Sequence, residues 1–428
     1  MIVYPYNLET FAIVLLTVLI FAIFSAWLYF LIYTIISFKR VPKLESANEQ
    51  QQGYAVFNSG HNGYPKVSVI LPARNEEKYI AKCLDSLINQ SYPNFEIVAV
   101  NDSSSDRTGE IIQRYHTLNS KLVVAINAEP KSEEGQGWTG KNLACYQGYL
   151  NSTGEILLFT DADTVHSHSS MSLAVTCLIN QNLDALTAIP RILSGENIWI
   201  KTILPLLWTL SYVKYSALRA NNPKSKIGYF FGSFFIITRR TYEAVGTHKA
   251  VKTEIVEDGA LGRKVKEEKF KLRVVRGEKY IEAIWARDFN TLWHGLRRLM
   301  IPLYQRERIN ALLMTVSSFL LLLLPLIVLP FFMFFSIGIH SFMDGYYHYY
   351  SARVYDFLLL VDMTTITILF LTSVIQSKYT LFQNSMYALG SPLAGVIIFF
   401  AFISSILDAS KKNAVDWKDR QYTIKESH

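Results

Sequence analysis

Residues 10–38 contain no charged side chain. About 20 consecutive apolar residues suffice for a helix to cross the hydrocarbon core of a bilayer, and this run is longer. No small-residue cleavage site closes it, so it reads as a retained membrane helix and not as a signal peptide. Lys39, Arg40 and Lys43 follow at once. Positive flanks stay on the cytoplasmic side, which places what comes next in the cytoplasm. Apolar character returns at residues 311–339, 354–375 and 386–407, each long enough to span. The expected organisation is an N-terminal span with its basic flank (1–45), a polar linker rich in Gln, Asn and Gly (46–65), a globular region (66–308), a membrane region with about three spans (309–408) and a polar tail (409–428).

The globular region alternates strand and helix signals. "KVSVILPARNEE" is a β-branched run that breaks at Pro72, and "YIAKCLDSLINQ" has apolar residues at helical spacing. "FEIVAVN" is a second strand, followed by a polar loop and a helix whose start is rich in capping residues. "KLVVAIN", "GKNLACYQGYL" and "EILLFTD" continue the alternation as strand, helix and strand. The pattern predicts an α/β fold with a mostly parallel sheet and helices on both faces. Ligands in such sheets bind beyond the carboxyl ends of the strands. Residues 74–77, 101–108 and 161–164 lie there.

In "LLFTDADTV" a buried strand ends in Asp161 and Asp163. Two chemistries use such a doublet. In a nucleotide-sugar transferase it holds a divalent metal on a diphosphate. In a phosphatase of the haloacid-dehalogenase type Asp161 would be the nucleophile. The bland alternative is an Asx turn. The doublet follows strands that already carry polar loops, whereas a phosphatase nucleophile belongs on an early central strand. The transferase reading also uses "GQGWTGK". It sets Lys141 at a helix start behind a glycine-containing turn, where backbone N–H groups and an ammonium can meet phosphate oxygens. Carboxylate oxygens suit a hard cation, Mg²⁺ or Mn²⁺. The net charge is +7, with much of the basic character beside the apolar segments and in residues 263–276. It fits anionic headgroups or a nucleotide diphosphate, and no nucleic-acid motif is present. Cys83, Cys145 and Cys177 lack metal-ligand spacing and read as buried hydrophobes.

Taken together, "VSVILPARNEEKYIAKCLDSLINQSYPNFEIVAVNDSSSDRT", "GWTGK", "TDADT", "FFGSFFIITRRTYEAVG" and "IVEDGALGRKV" resemble, in order, a family 2 glycosyltransferase of the GT-A fold. The resemblance covers residues 66–298. "WTGK" and the tail "WKDRQY" are similar to membrane members that act on lipids, including the ceramide, hopanoid-associated and carotenoid groups. This resemblance implies a membrane-anchored, inverting, metal-dependent hexosyltransferase in the cell membrane with its catalytic domain in the cytoplasm. The donor would be a nucleotide sugar, UDP-linked, and the acceptor a membrane lipid. Glu76 and Asp102 would contact the uracil–ribose end and Lys141 the diphosphate. Asp161 would lie beside the donor and Asp163 would bind the metal directly, with Asp161 sharing it. Asp258 would be the general base, with Glu257 as an orienting partner and Gly232 bordering the acceptor side. Arg297 matches a leaving-group contact. Trp417 and Arg420, with Lys418, would form a lid, although Asp419 replaces the glycine of comparable tails. In "LWHGLRRLMIP", His294 and Arg298 stand where processive synthases carry Gln and Trp, which favours a single transfer over a polysaccharide synthase.

Structural alternatives accompany these assignments. Glu257 and Asp258 would be favoured at a helix N-terminus by the dipole alone. Lys141 would be an ordinary solvated lysine. Glu77 reads as a helix N-terminal acid, and His166 and His168 read as solvated. Residues 198–218, apolar with Lys201, Pro205 and Lys214, are expected to lie in the membrane interface, as is "LWHGLRRL". One conflict stands: three spans after a cytoplasmic domain leave the tail outside, whereas Lys411, Lys412 and Lys418 argue for inside. Two prolines within "SFLLLLLPLIVLPFFMFFSI" offer a break that would change the parity.

Overall fold

The computed structural model describes residues 8–47, 63–128, 137–193, 195, 197–212, 215–342, 346–411, 414–417 and 420–423. Most of the expected linker and Lys418 lie outside them. The α/β region is built on strands β1 (Val67–Ala73), β2 (Phe95–Asn101), β3 (Val123–Asn127), β4 (Ile156–Phe159), β5 (Thr164–His166), β6 (Ala185–Ile189), β7 (Arg191–Leu193), β8 (Phe235–Thr238), β9 (Leu272–Arg276) and β10 (Ile281–Ile284). Seven of them form one sheet in the order β3-β2-β1-β4-β8-β6-β9. All neighbours are parallel except β8, which runs antiparallel to both β4 and β6. A second sheet, β5-β10-β7, flanks it.

The residues of β1 are buried on both faces, as a central strand under two layers of helix requires. Val67, Val69 and Leu71 meet Ile80, Leu84 and Leu87 of the helix Ile80–Ile88 on one face. Ile70 faces the opposite core with Val98, Val100 and Ala144. The strand does not break at Pro72, which pairs with Val100 and is followed by Ala73. The carbonyl of Ile70 points toward β4, accepting from Thr160 N–H at 3.3 Å. Two residues later the proline nitrogen faces the same side, past the end of β4, so no ladder bond is lost there.

Glu96 pins the front of the sheet. It accepts from Ser68 Oγ at 2.6 Å, Lys66 Nζ at 2.7 Å and the Thr153 N–H at 2.7 Å. Burial opposes its charge, yet these three partners hold its carboxyl well below the usual range, at about 2.

Four helices are long and apolar enough to cross a membrane, with candidate spans Phe11–Arg40, Arg308–Ile337, Arg353–Thr380 and Ser385–Ala409. The expected break at the prolines does not occur. The helix Arg308–Ser318 passes through a π turn, Phe319–Leu323, into Leu324–Phe342. Pro325 cannot donate to the carbonyl four residues back, that of Leu321. The Trp27 indole N–H donates to that carbonyl instead, at 2.9 Å.

The helix Ile198–Ser211 is capped by Asn197, which accepts from the N–H groups of Trp199 and Ile200, and it ends seven residues before the expected boundary. Its buried Ile200, Ile203 and Leu206 share one core with Trp27, with Leu292 and Leu296 of the helix Phe289–Arg306, and with Ala394 and Ile398 of the helix Ser391–Lys411. That last helix begins against the first of these elements. A Cβ on Gly390 would fall 2.3 Å from Thr202 Cγ2, and Gln383 Nε2 donates to the Lys201 carbonyl at 2.6 Å. It ends against the α/β side, where Asp408 pairs with Arg297 and Ala409 packs with Ile255 and Ile301. In the tail, Ala414–Trp417 and Arg420–Thr423 form an antiparallel hairpin with Trp417 opposite Arg420.

Candidate active site

At the carboxyl end of the central strands two charge clusters lie side by side. The first is centred on Lys141. Thr139 caps the helix Gly140–Leu150 by accepting from the Asn142 N–H. Asn142 is fully buried, and its amide donates to the carbonyls of Val251, Lys252 and Glu254 at 2.7, 3.1 and 3.0 Å. This fastens the helix start to the segment leading into the helix Glu257–Glu267. Lys141 Nζ therefore reaches Glu257 Oε1 and Asp161 Oδ1, both at 2.7 Å. Burial alone would lower the lysine pKa, but Asp161, Glu257 and Asp258 raise it well above the ordinary value.

Asp258 completes this cluster. Its Oδ2 accepts from the Gly232 N–H at 2.8 Å and its Oδ1 from the Gly259 N–H at 2.7 Å. Burial and then the Glu257 charge push its carboxyl up to about 6, against the pull of Lys141 and the Gly259 N–H. Space at Gly232 is tight. A Cβ there would sit 3.0 Å from Asp258 Oδ2, 3.1 Å from Lys141 Nζ and 3.2 Å from Asp161 Oδ2. Glu257 and Asp258 are also the first two residues of their helix, so the dipole reading and the clustered reading describe the same placement.

The second cluster joins the loops after β1 and β4. Arg287 NH2 lies 2.5 Å from Glu76 Oε2 and 3.4 Å from Asp163 Oδ2. Glu76 is buried, and its N–H is bonded to Thr108 Oγ1 at 2.7 Å. Asp102 is buried at the end of β2, where its N–H donates to the Ala73 carbonyl. Glu77 accepts from the Arg107 N–H at 3.2 Å and so cross-links two loops; it precedes the helix Ile80–Ile88 and lies outside its first turn.

The structure thus brings together Lys141, Asp161, Gly232, Glu257 and Asp258, and separately Glu76 and Asp163. Lys141 is engaged by carboxylates and is not an ordinary solvated lysine. Arg297 lies apart, paired with Asp408. His166 is buried, not solvated: it bonds Thr160 Oγ1 at 2.9 Å, and burial lowers its pKa to about 3. His168 is exposed as expected. Sequence reasoning missed Arg287 and Asn142. The only trace of Arg287 is its place just before the "DFNT" capping box, in which Asp288 accepts from the Thr291 N–H. Among the described residues no group of three or more His, Cys, Asp or Glu side chains is arranged to hold a metal ion.

Residues 68–246 match the family model described as Glycosyl transferase family 2. A 4,4'-diaponeurosporenoate glycosyltransferase of Staphylococcus aureus (strain bovine RF122 / ET3-1) is 27% identical over 260 residues, 57% of this chain and 65% of the relative. The protein of the same description from strain USA300 is 26% identical over the same shares. The chain therefore aligns with slightly less than two thirds of these relatives' length. Among solved structures, the mannosyltransferase PcManGT from Pyrobaculum calidifontis in complex with GDP-Man and Mn2+ aligns with a TM-score of 0.45 at 14% identity, covering 90% of this chain and 99% of that one.

Proposed function

We propose, from the match of residues 68–246 to the family 2 glycosyl transferase model, that the protein moves a sugar from a UDP-sugar to a hydroxyl of a membrane lipid, once per acceptor and with inversion. The observation that carries this reading is the Asp258 carboxylate. It is aimed by two backbone N–H groups, lifted to about 6, and set beside Lys141 and Asp161 at the carboxyl end of β4. A base with its pKa near neutrality takes up a proton readily and is still ionised at working pH. Asp258 removes the acceptor hydroxyl's proton as that oxygen attacks the anomeric carbon from the face opposite the nucleotide. Lys141 balances Asp161 and Glu257, so that Asp258 can ionise beside them. Glu76 and Asp102 hold the base and ribose.

Asp161 and Asp163 are the residues that would hold a divalent cation. Both are hard oxygen donors, and each faces a side-chain cation, Lys141 or Arg287, in a site that tolerates positive charge. Two carboxylates with diphosphate oxygens and water are an ordinary shell for Mg²⁺ or Mn²⁺. When bound, the cation offsets charge on the departing diphosphate.

The lipid acceptor is supported by the shared core of the helices Ile198–Ser211 and Phe289–Arg306 with the apolar helices, and by the diaponeurosporenoate in the relatives' name. The doublet's alternative use as a phosphatase nucleophile has no support from the family match, and nothing favours a polysaccharide synthase. Purified protein in lipid vesicles is given a panel of labelled UDP-sugars with Mg²⁺ or Mn²⁺, and lipids are resolved by mass spectrometry. A singly glycosylated lipid is the expected product. Release of free phosphate from phosphomonoesters, or a polymer, with no glycolipid, would overturn the reading.

A further inference from the structure

The Arg287 guanidinium is shared unequally between two carboxylates from different strand ends. Glu76, with 4% of its side chain exposed, is held at 2.5 Å, whereas Asp163 lies at 3.4 Å. A carboxylate buried to that degree is costly without a cation, so the bond to Glu76 is the one that persists. The contact with Asp163 is the loose one. Arg287 itself is a third exposed and rests over the Tyr79 ring at 4.5 Å, while its backbone N–H donates to Thr291 Oγ1 at 2.9 Å. The backbone is held at Thr291, and the guanidinium, partly exposed, makes only its longer contact with Asp163.

The geometry points to Arg287 as a positioning residue that competes with a divalent cation for Asp163 and makes cation and nucleotide bind as a pair. The inference rests on the donor-site reading above. Two cations beside one carboxylate repel, so a metal ion arriving alone must displace the guanidinium and leave it close to a second positive charge. A diphosphate removes that penalty, because its oxygens accept the fork of the guanidinium while the metal takes Asp163. The cation alone is then held weakly, nucleotide and cation strengthen each other, and linkage makes the effect reciprocal.

Calorimetry on the full chain in detergent tests this, with MnCl₂ alone, UDP alone and UDP in saturating MnCl₂. In Arg287→Gln, Mn²⁺ alone is expected to bind about 10-fold tighter or more. The factor by which Mn²⁺ and UDP assist each other, typically ~5–150-fold for coupled sites, is expected to fall toward one. A residue that merely braced the loops would weaken both ligands instead. Arg287→Lys retains the charge but cannot bridge both carboxylates, and is expected to be intermediate; it serves if the Gln variant does not fold. Unchanged or weaker binding of Mn²⁺ alone, or undiminished coupling, overturns the role given to Arg287. Failure of the unsubstituted protein to bind UDP with any divalent cation overturns the donor-site reading itself.

Discussion

At the scale of single residues, Asp258 is the sharpest test. Asp258→Asn is expected to lower transfer by about 10²–10⁴ while UDP binding is retained, since only proton removal is lost. Turnover at the unsubstituted rate would exclude it as the base. Its pKa also sets a pH profile. The carboxyl must be ionised to act, so kcat/KM should climb as pH rises through about 6 and level off above it. Gly232→Ala is a second residue-scale case. The added methyl group would press on Asp258, Lys141 and Asp161 at 3.0–3.2 Å, and each must yield by a few tenths of an ångström. Small misplacements at a reacting centre cost up to about 10²-fold, so a 10–100-fold fall in kcat with an unchanged thermal midpoint is expected. An unaltered kcat would show that the cluster has slack. Most of these residues were legible, because "TDADT", "GWTGK" and "IVEDG" carry acids and a lysine where strands and helices begin or end. Arg287 was not: it meets its partners across 211 and 124 residues of chain, and no local spacing records such a contact.

At the scale of elements, the parallel half of the sheet was readable from its apolar runs, and the other half was not. β5 and β7 have three residues each and β8 has four, too short for a period to register. The antiparallel insertion of β8 is fixed by ring stacking, with Phe235 on Phe159 at 4.8 Å and on Phe230 at 4.4 Å. The π turn likewise depends on a tryptophan from another helix. The Glu96 pin gives an element-scale prediction. Its folded pKa is depressed to about 2, so its stabilisation is complete above the usual carboxylate range and disappears as pH falls toward 2. Glu96→Gln should therefore cost about 1–3 kcal/mol near pH 7, because a buried three-partner acceptor is impaired. Thermal midpoints of the two proteins should converge as pH drops from 5 to 2. A gap that persists at low pH would mean that shape, not charge, holds the pin.

At the scale of the whole molecule, the N-terminal helix is stitched to the far edge of the sheet. Arg276 of β9 donates to the Phe38 carbonyl at 3.1 Å, covers the Phe38 ring at 3.8 Å and bonds the buried Glu278 at 2.9 Å. The sheet is thereby fixed to the N-terminal apolar helix. Arg276→Ala should lower the thermal midpoint by several degrees, since it leaves Glu278 buried without its cation. A midpoint within a degree of the unsubstituted protein would show that the stitch carries no load.

The last apolar helix settles into a different arithmetic. Its start is tied to the helix Ile198–Ser211 through Lys201 and Thr202, and its end to the α/β side through Arg297 and Ile255. A helix fastened in this way is expected to lie along the membrane surface instead of crossing it, although it is long enough to span. Four apolar helices would then give an odd number of passages, with the Leu8 and Lys411 ends expected on opposite sides of the bilayer. That topology would reconcile the basic tail with the count of spans. In sealed vesicles, a cysteine at Ser410 and one at Leu8 should be labelled by a membrane-impermeant maleimide from opposite faces, after the three native cysteines are replaced. Labelling from the same face would restore the fourth crossing.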